Sequence, residues 1–486
     1  MFLKNILTFS AVNAYGVIIR TGQEVIVRMF LKPDVFGYWS FILLLFGFAK
    51  TFDLGVLAAS NRTLPLLYGA KRFQRADEYR RTAFYLQFAA NCVIAVGIIG
   101  YSLLFSKNTL SHQWMLACAA ATLVIASSFG ESFISFYQSA QAYQKLSIRL
   151  FIYWTIYGFF LVTGAYFLGV LGIFLGTFLA AFFQAFLLKS SLKIFSESFT
   201  NTPNLKKINI KAAKSLLGFA LPFRAIDYPL NLLSVLDGLF VSHFLGLKQL
   251  AIYTTAKVVL NQTGQLPAWI NSVFIVRLTT LKGSSNQSNQ ELGVELYQNL
   301  LLQYLIIIPI SITAVIGSAR FFVPIFLSEY MDSLDILIPL LLTLYFLPSA
   351  TVYRNLWIID RYFKGLAFTN LLGAFIMIVG LGILSGKDAI TLKSVAFVFF
   401  LSFFGYYFSV LMTLGRTLWK PKQLWGLLGS LALSIGSVLL SIQIATLTGR
   451  SATDPVTIAL MIGAVLPVCG LGAWQIRNFR RFLRAG

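Results

Sequence analysis

Charge is scarce in this sequence. Asp, Glu, Lys and Arg make up 12% of its 486 residues, against about 25% in soluble domains. A chain so poor in charge cannot clothe a water-facing surface, which excludes an ordinary soluble enzyme or binding module. Histidine is scarcer still: His112 and His243 are the only two, far apart and without metal-ligand spacing. The three cysteines, Cys92, Cys118 and Cys469, lie singly in apolar stretches and lack the pairing of a redox or metal motif, so they read as packing residues. No Gly-x-x-x-x-Gly-Lys phosphate loop occurs, which removes ATP as a direct energy source. Acids number 17 against 39 Lys and Arg, a net charge of +22. The cations are nevertheless scattered, with no basic domain carrying interleaved aromatics, and nucleic acid is not the expected partner.

What fills the chain is apolar sequence, 57% of all residues. About 20 apolar residues cross a bilayer core as a helix, and runs of that length recur from one end to the other. Broken at charged or Gly/Pro/Asn-rich stretches, they give about fourteen spans: 6–29, 36–59, 83–105, 114–138, 150–168, 171–188, 215–245, 251–276, 296–319, 336–358, 366–384, 395–415, 424–447 and 456–476. The expected fold class is an all-α integral membrane protein. The first run carries Arg20, Glu24 and Arg28 and no small-residue cleavage pattern, so it reads as a span and not as a secretory signal.

The cations order these spans across the membrane. With the N-terminus inside, twenty-six Lys and Arg fall in cytoplasmic segments and eight outside. That bias places both termini in the cytoplasm. The longest loop, 189–214, is polar and basic and separates the first six spans from the rest. The expected organisation is therefore an N-terminal lobe over 1–195, a basic linker over 196–214, a C-terminal lobe over 215–416, and two further helices with a basic tail over 417–486. A faint internal echo agrees: Phe30-Leu31 followed by Phe36-Gly37-Tyr38 recurs 214 positions later as Phe244-Leu245 followed by Leu250-Ala251-Ile252. Parallel repeats of this kind place a transport site between lobes near the membrane midplane.

Five cations remain inside spans: Arg20, Lys50, Arg224, Lys257 and Arg354. Five acids join them: Glu24, Asp53, Glu131, Asp227 and Asp237. Each costs at least about 2.5 kcal/mol at a bilayer centre, so the ten need pairing or a hydrated space, and lipid-facing placement is excluded. Many fall three or four residues apart with other polar side chains, on one helix face. Examples are Arg224, Asp227, Asn231, Ser234 and Asp237 in the seventh span, and Thr254, Lys257, Asn261 and Gln265 in the eighth. Two readings stand side by side. Arg20 with Glu24, Lys50 with Asp53 and Arg224 with Asp227 can be intrahelical ion pairs that satisfy one another, or the set can line a polar transport cavity. Lys257, Arg354 and Glu131 have no opposite charge close by on their own helix, which favours the cavity. Pro222, Pro229 and Pro267 interrupt spans seven and eight, either as hinges or as ordinary transmembrane prolines.

The stretch Phe30-Leu31-Lys32-Pro33-Asp34-Val35-Phe36-Gly37-Tyr38-Trp39-Ser40, then Phe52-Asp53-Leu54-Gly55 and Asn61-Arg62-Thr63-Leu64-Pro65, resembles the polysaccharide transporter branch of the multidrug/oligosaccharidyl-lipid/polysaccharide (MOP) exporter superfamily, the O-antigen-type flippases. The resemblance covers the first two spans and, beyond them, the architecture. It implies two six-helix lobes around a cationic cavity in a bacterial inner membrane. The implied cargo is an undecaprenyl-diphosphate-linked glycan moved from the cytoplasmic to the periplasmic leaflet, with membrane lipids and other polysaccharide assembly proteins as partners. Related lipid II flippases carry cavity cations on their first, second and eighth helices, where Arg20, Lys50 and Lys257 stand here. Two are lysines, which hold phosphate as point charges and not bidentately. Spans thirteen and fourteen exceed the twelve usual for O-antigen flippases.

Arg20, Lys50, Lys257, Arg224, Arg354 and Asn261 are thus the expected substrate contacts. Glu24, Asp53, Glu131, Asp227 and Asp237 are the expected cavity or coupling acids, with H+ or Na+ as the coupling ion and no other cofactor. An interior-negative potential favours outward movement of an anion by about 2.3 kcal/mol per charge per 100 mV. The alternatives are a cation-coupled drug antiporter of the same superfamily, which would prefer an acidic cavity, and a polymerase or ligase of lipid-linked glycans. The latter needs a sizeable external loop, and the longest here is 320–335.

Overall fold

In the computed structural model the described residues are 2–69, 72–105, 113–140, 142–190, 209–265, 289–347, 363–386, 390–418 and 421–447, with shorter pieces between 267 and 271, between 350 and 357, and at 463 and 465–473. Among them every regular element is a helix. Seven helices are long and apolar enough to span a membrane, or eight when one bent pair is taken as a single span. The chain is a multi-pass membrane protein. Most of the linker at 196–214 and much of the fourteenth span lie outside the described residues.

The chain divides into two compact units, one comprising 1–235 with 246–251 and the other 236–245 with 252–486. In the first unit, α1 (Phe2–Phe30) packs along α6 (Tyr143–Ser190), and α4 (Phe73–Phe105) and α6 pack on α5 (Gln113–Ser139). Between α1 and α4 lie α2 (Pro33–Thr51) and α3 (Val56–Gly69). Pro33 starts α2 because the missing N–H of a proline costs nothing in a first helical turn, and Asp34 adds the negative charge a helix N-terminus favours. The second expected span is not one rod. It breaks at 52–55 and bends by 57°, with Gly55 at φ +69, a conformation open to glycine and costly to side chains.

Spans five and six form one long element that turns at Gly169, where φ is +59 and ψ −134. Gly164 and Gly172 flank the turn so closely that a Cβ on either would collide with the backbone carbonyl of the other. Farther out, Arg149 on the first arm donates from Nε to the Leu187 carbonyl on the second at 3.1 Å, and Tyr137 donates to the Leu188 carbonyl at 3.1 Å. These bonds satisfy carbonyls that a helix end leaves open.

Helix α7 (Ile210–Phe244) begins at a cap supplied by Asn209. Its Oδ1 accepts from the backbone N–H of Lys211 and Ala212, and its amide donates to Glu78 of α4 at 2.8 Å. Helix α7 runs on into the second unit and is followed by α8 (Gly246–Thr263). One helix ends at Phe30 and the next starts at Pro33; another ends at Phe244, 214 residues after Phe30, and the next starts at Gly246.

The second unit continues with α9 (Asn289–Leu302), a π-helical turn at Gln303–Ile307, α10 (Ile308–Phe326), α11 (Ser333–Leu342), α12 (Phe363–Gly386), α13 (Leu392–Leu418) and α14 (Pro421–Leu447). A π turn leaves backbone groups out of step with the ladder. Here the Tyr304 carbonyl is taken by the Ser434 hydroxyl, Tyr345 bonds Ser434 at 2.7 Å, and the Tyr304 and Tyr407 hydroxyls meet. Large aromatic residues at fully buried positions, Tyr304, Tyr345, Phe346 and Tyr407 among them, form the core around this polar seam.

Candidate functional site

Lys50 stands in the last turn of α2, and its Nζ reaches Glu131 Oε2 on α5 at 2.8 Å. The intrahelical pairing of Lys50 with Asp53 is not what forms. Asp53 Oδ1 instead accepts from the Gly55 backbone N–H at 3.2 Å and shapes the break after α2. The Lys50–Glu131 pair is only partly enclosed, with side-chain exposures of 20% and 43%. Neither side chain is sealed inside the protein.

Arg224, on the part of α7 within the same unit, turns its guanidinium to the end of α2. Nη2 donates to the Lys50 carbonyl at 2.7 Å and Nε to the Asp53 carbonyl at 3.0 Å. A cation at a helix C-terminus satisfies open carbonyls and complements the negative end of the dipole. Gly55 leaves room for this approach, since a Cβ there would come within 3.2 Å of the Ala220 carbonyl and 3.4 Å of Arg224 Cβ. Charged-group hydrogen bonds contribute about 1.5–3 kcal/mol each. Arg224→Met is therefore expected to destabilise the protein by about 2 kcal/mol or more, read as a lower thermal unfolding midpoint in detergent, with Arg224→Lys intermediate.

Arg20 differs from the other cations. Its Nε donates to the Gly16 carbonyl one turn back at 3.3 Å, and its guanidinium lies over the Trp154 ring of α6 at 4.8 Å. Among the described residues it meets no carboxylate. Glu24, one turn farther along α1, is taken by Arg28, which is buried and also faces the Phe36 ring at 4.3 Å. Gly16 makes the stacking possible, because a Cβ there would lie 2.7 Å from Trp154 Cδ1. Beside this pair, Gln23 Oε1 and Trp154 Nε1 are buried and meet no hydrogen-bond partner among the described residues.

In the second unit Asp237 of α7 is fully buried. Lys257 Nζ on α8 donates to Oδ1 at 2.9 Å and Oδ2 at 2.8 Å, and the Tyr253 hydroxyl donates to Oδ2 at 2.7 Å. The Phe399 ring of α13 lies 5.0 Å from the same ammonium. Of the remaining expected residues, Asp227 is buried, Asn261 is exposed, and Arg354 is half-buried within a stretch whose neighbours mostly lie outside the described residues.

Sequence reasoning missed Trp154, because span five carries no charge of its own, and Phe399 for the same reason. Tyr253 was within reach, standing one helical turn before Lys257. Also unflagged were Gln87 and Asn91, one turn apart on α4 and fully buried, and Asn61, whose Oδ1 accepts from Ser135 and Ser139 of α5.

No protein-family model matches the sequence, and no curated protein does either. Solved structures do match. The lipid II flippase MurJ in an inward closed conformation superposes with a TM-score of 0.67 at 14% identity, covering 96% of this chain and 98% of that one. The two chains share a fold. An inward-facing multidrug-resistance MATE transporter of the MOP superfamily gives a TM-score of 0.65 at 13% identity over 85% of this chain and 95% of its own. A MOP-superfamily transporter from Pyrococcus furiosus, described as having a binding pocket of reversed polarity, gives 0.61 at 13% identity over the same shares. These neighbours are transporters or flippases, and at such identities the likeness is one of fold.

Proposed function

We propose that the chain is a bacterial inner-membrane flippase, with both termini cytoplasmic, that carries a polyprenyl-diphosphate-linked oligosaccharide outward by alternating access. The observation that supports this most is Arg20. A cation in a membrane span is costly unless an opposite charge meets it, and this one is held by a carbonyl and an aromatic face with no described carboxylate. The stack on Trp154 leaves guanidinium N–H groups for a diphosphate, whose oxygens an arginine can take two at a time. Lys50 would add a second positive charge once an anion competes with Glu131 for it.

The extent of the fold match supports the same reading. The likeness to a lipid flippase runs over 96% of this chain, whereas that to the MATE transporter stops at 85%. A diphosphate and its sugars cannot cross hydrocarbon unaided, so a cationic path for the head with the tail left in lipid is the minimum device such cargo needs. Membrane potential would drive the anion outward. No catalytic role is needed.

A drug antiporter would select the opposite charge. In proteoliposomes, a fluorescent short-chain polyprenyl-diphosphate glycan is expected to cross at least tenfold faster than in protein-free vesicles, and faster still with the interior of the donor side negative. Acceleration of a cationic dye with no effect on the glycan would establish the antiporter instead.

A further inference from the structure

We propose that Asp237 forms a monovalent-cation site of the second unit, and that the chain fills it with its own Lys257 ammonium. A buried carboxylate requires a cation and hydrogen-bond donors. Asp237 has both from within the chain: both oxygens accept from Lys257 Nζ and one also from Tyr253. Tyr253 and Lys257 lie one turn apart on α8, so a single helix face delivers phenol and ammonium together. The Phe399 and Tyr253 rings stand 5.0 and 5.8 Å from Nζ. A carboxylate, a phenol and two aromatic faces make a set that suits an alkylammonium better than a strongly hydrated metal ion. The site is occupied by a tethered cation, and Asp237 is withdrawn from binding a free coupling ion. This inference rests on the second unit alone and is independent of the cargo.

Removing the tether should expose the site. Lys257→Ala vacates the space of a butylammonium arm, and the ligand class is then a small primary alkylammonium. The probe is propylammonium chloride, compared with sodium and choline chloride at equal ionic strength, on the purified full-length protein with thermal unfolding as readout. The wild-type midpoint is expected to be the same in all three salts. Lys257→Ala should fall by several degrees in choline and recover at least half of that in propylammonium. Lys257→Ala with Asp237→Asn should show no salt preference. Should the single variant not be recoverable, recovery of the double variant supports the proposal, because it removes the stranded charge, and loss of both overturns it. The proposal is also overturned by a wild-type midpoint that rises with sodium and ceases to do so in Asp237→Asn, or by a Lys257→Ala protein indifferent to every cation.

Discussion

Arg20→Ala is expected to reduce flipping of a polyprenyl-diphosphate glycan by about 100-fold or more, with protein abundance and unfolding midpoint close to wild type. The size follows from the part Arg20 would play. Charge-assisted bonds to phosphate contribute about 1.5–3 kcal/mol each, and losing two of them in a poorly solvated site exceeds the 2.7 kcal/mol that corresponds to a factor of one hundred. Stability should change little because Arg20 gives the fold one long bond to Gly16 and a stack on Trp154, the latter worth about 0.5–2 kcal/mol. Arg20→Lys keeps the charge but cannot reproduce the planar stack or a bidentate grip, so partial activity with weaker apparent affinity is expected. The measurement is transport in proteoliposomes at matched protein content. A rate for Arg20→Ala equal to wild type would remove Arg20 from the cargo site.

Gly172→Val is the second large effect, and it acts on folding. A Cβ at position 172 would fall inside the Gly164 carbonyl, and one at 164 would meet Gly172 in the same way. Both neighbours are backbone on arms of a turned helix, so neither can swing aside as a side chain would. Overpacking usually costs 1–3 kcal/mol, and with backbone on both sides the loss should lie near the top, about 3 kcal/mol. Close helix approach over small residues is also a main source of cohesion inside a membrane, where the hydrophobic effect is absent. Gly172→Val should therefore accumulate poorly and unfold well below wild type. Gly382→Val on α12, where a Cβ meets nothing within 4 Å, is the matched control and should be near wild type.

Much of this architecture is legible in the sequence because lipid imposes a simple pattern. Backbone groups with no water to bond must bond within a helix, so an apolar run of span length is a helix whatever surrounds it. The spans at 150–168 and 171–188 illustrate this, since they fall on the two arms either side of Gly169. The interruption of the second span at 52–55 was not readable in the same way. It depends on Asp53 turning back to Gly55 and on Arg224, 171 residues away, closing the helix end.

The charged residues inside spans were legible in the sequence, and what each of them meets was not. Spacing of three and four identifies residues that share a helix face and says nothing of what faces them. Lys50 and Glu131 lie 81 residues apart and meet through the packing of α2 on α5. Glu24 had Arg20 on one side and Arg28 on the other at equal spacing, and it is Arg28 that takes it. That choice leaves Arg20 for Trp154, in a span without charge of its own. Contact thus separates these four cations: Arg224 closes a helix, Lys257 meets Asp237, Lys50 meets Glu131, and Arg20 stacks on Trp154, where the proposed anion would reach it.

Equilibrium binding of a water-soluble short-chain polyprenyl diphosphate to the purified protein tests that assignment most directly. The account predicts saturable binding to wild type that weakens at least tenfold in Arg20→Ala and is displaced by inorganic diphosphate, with no comparable binding of the uncharged polyprenol. Equal affinity of wild type and Arg20→Ala for the diphosphate, or equal affinity of the wild type for diphosphate and polyprenol, would contradict it.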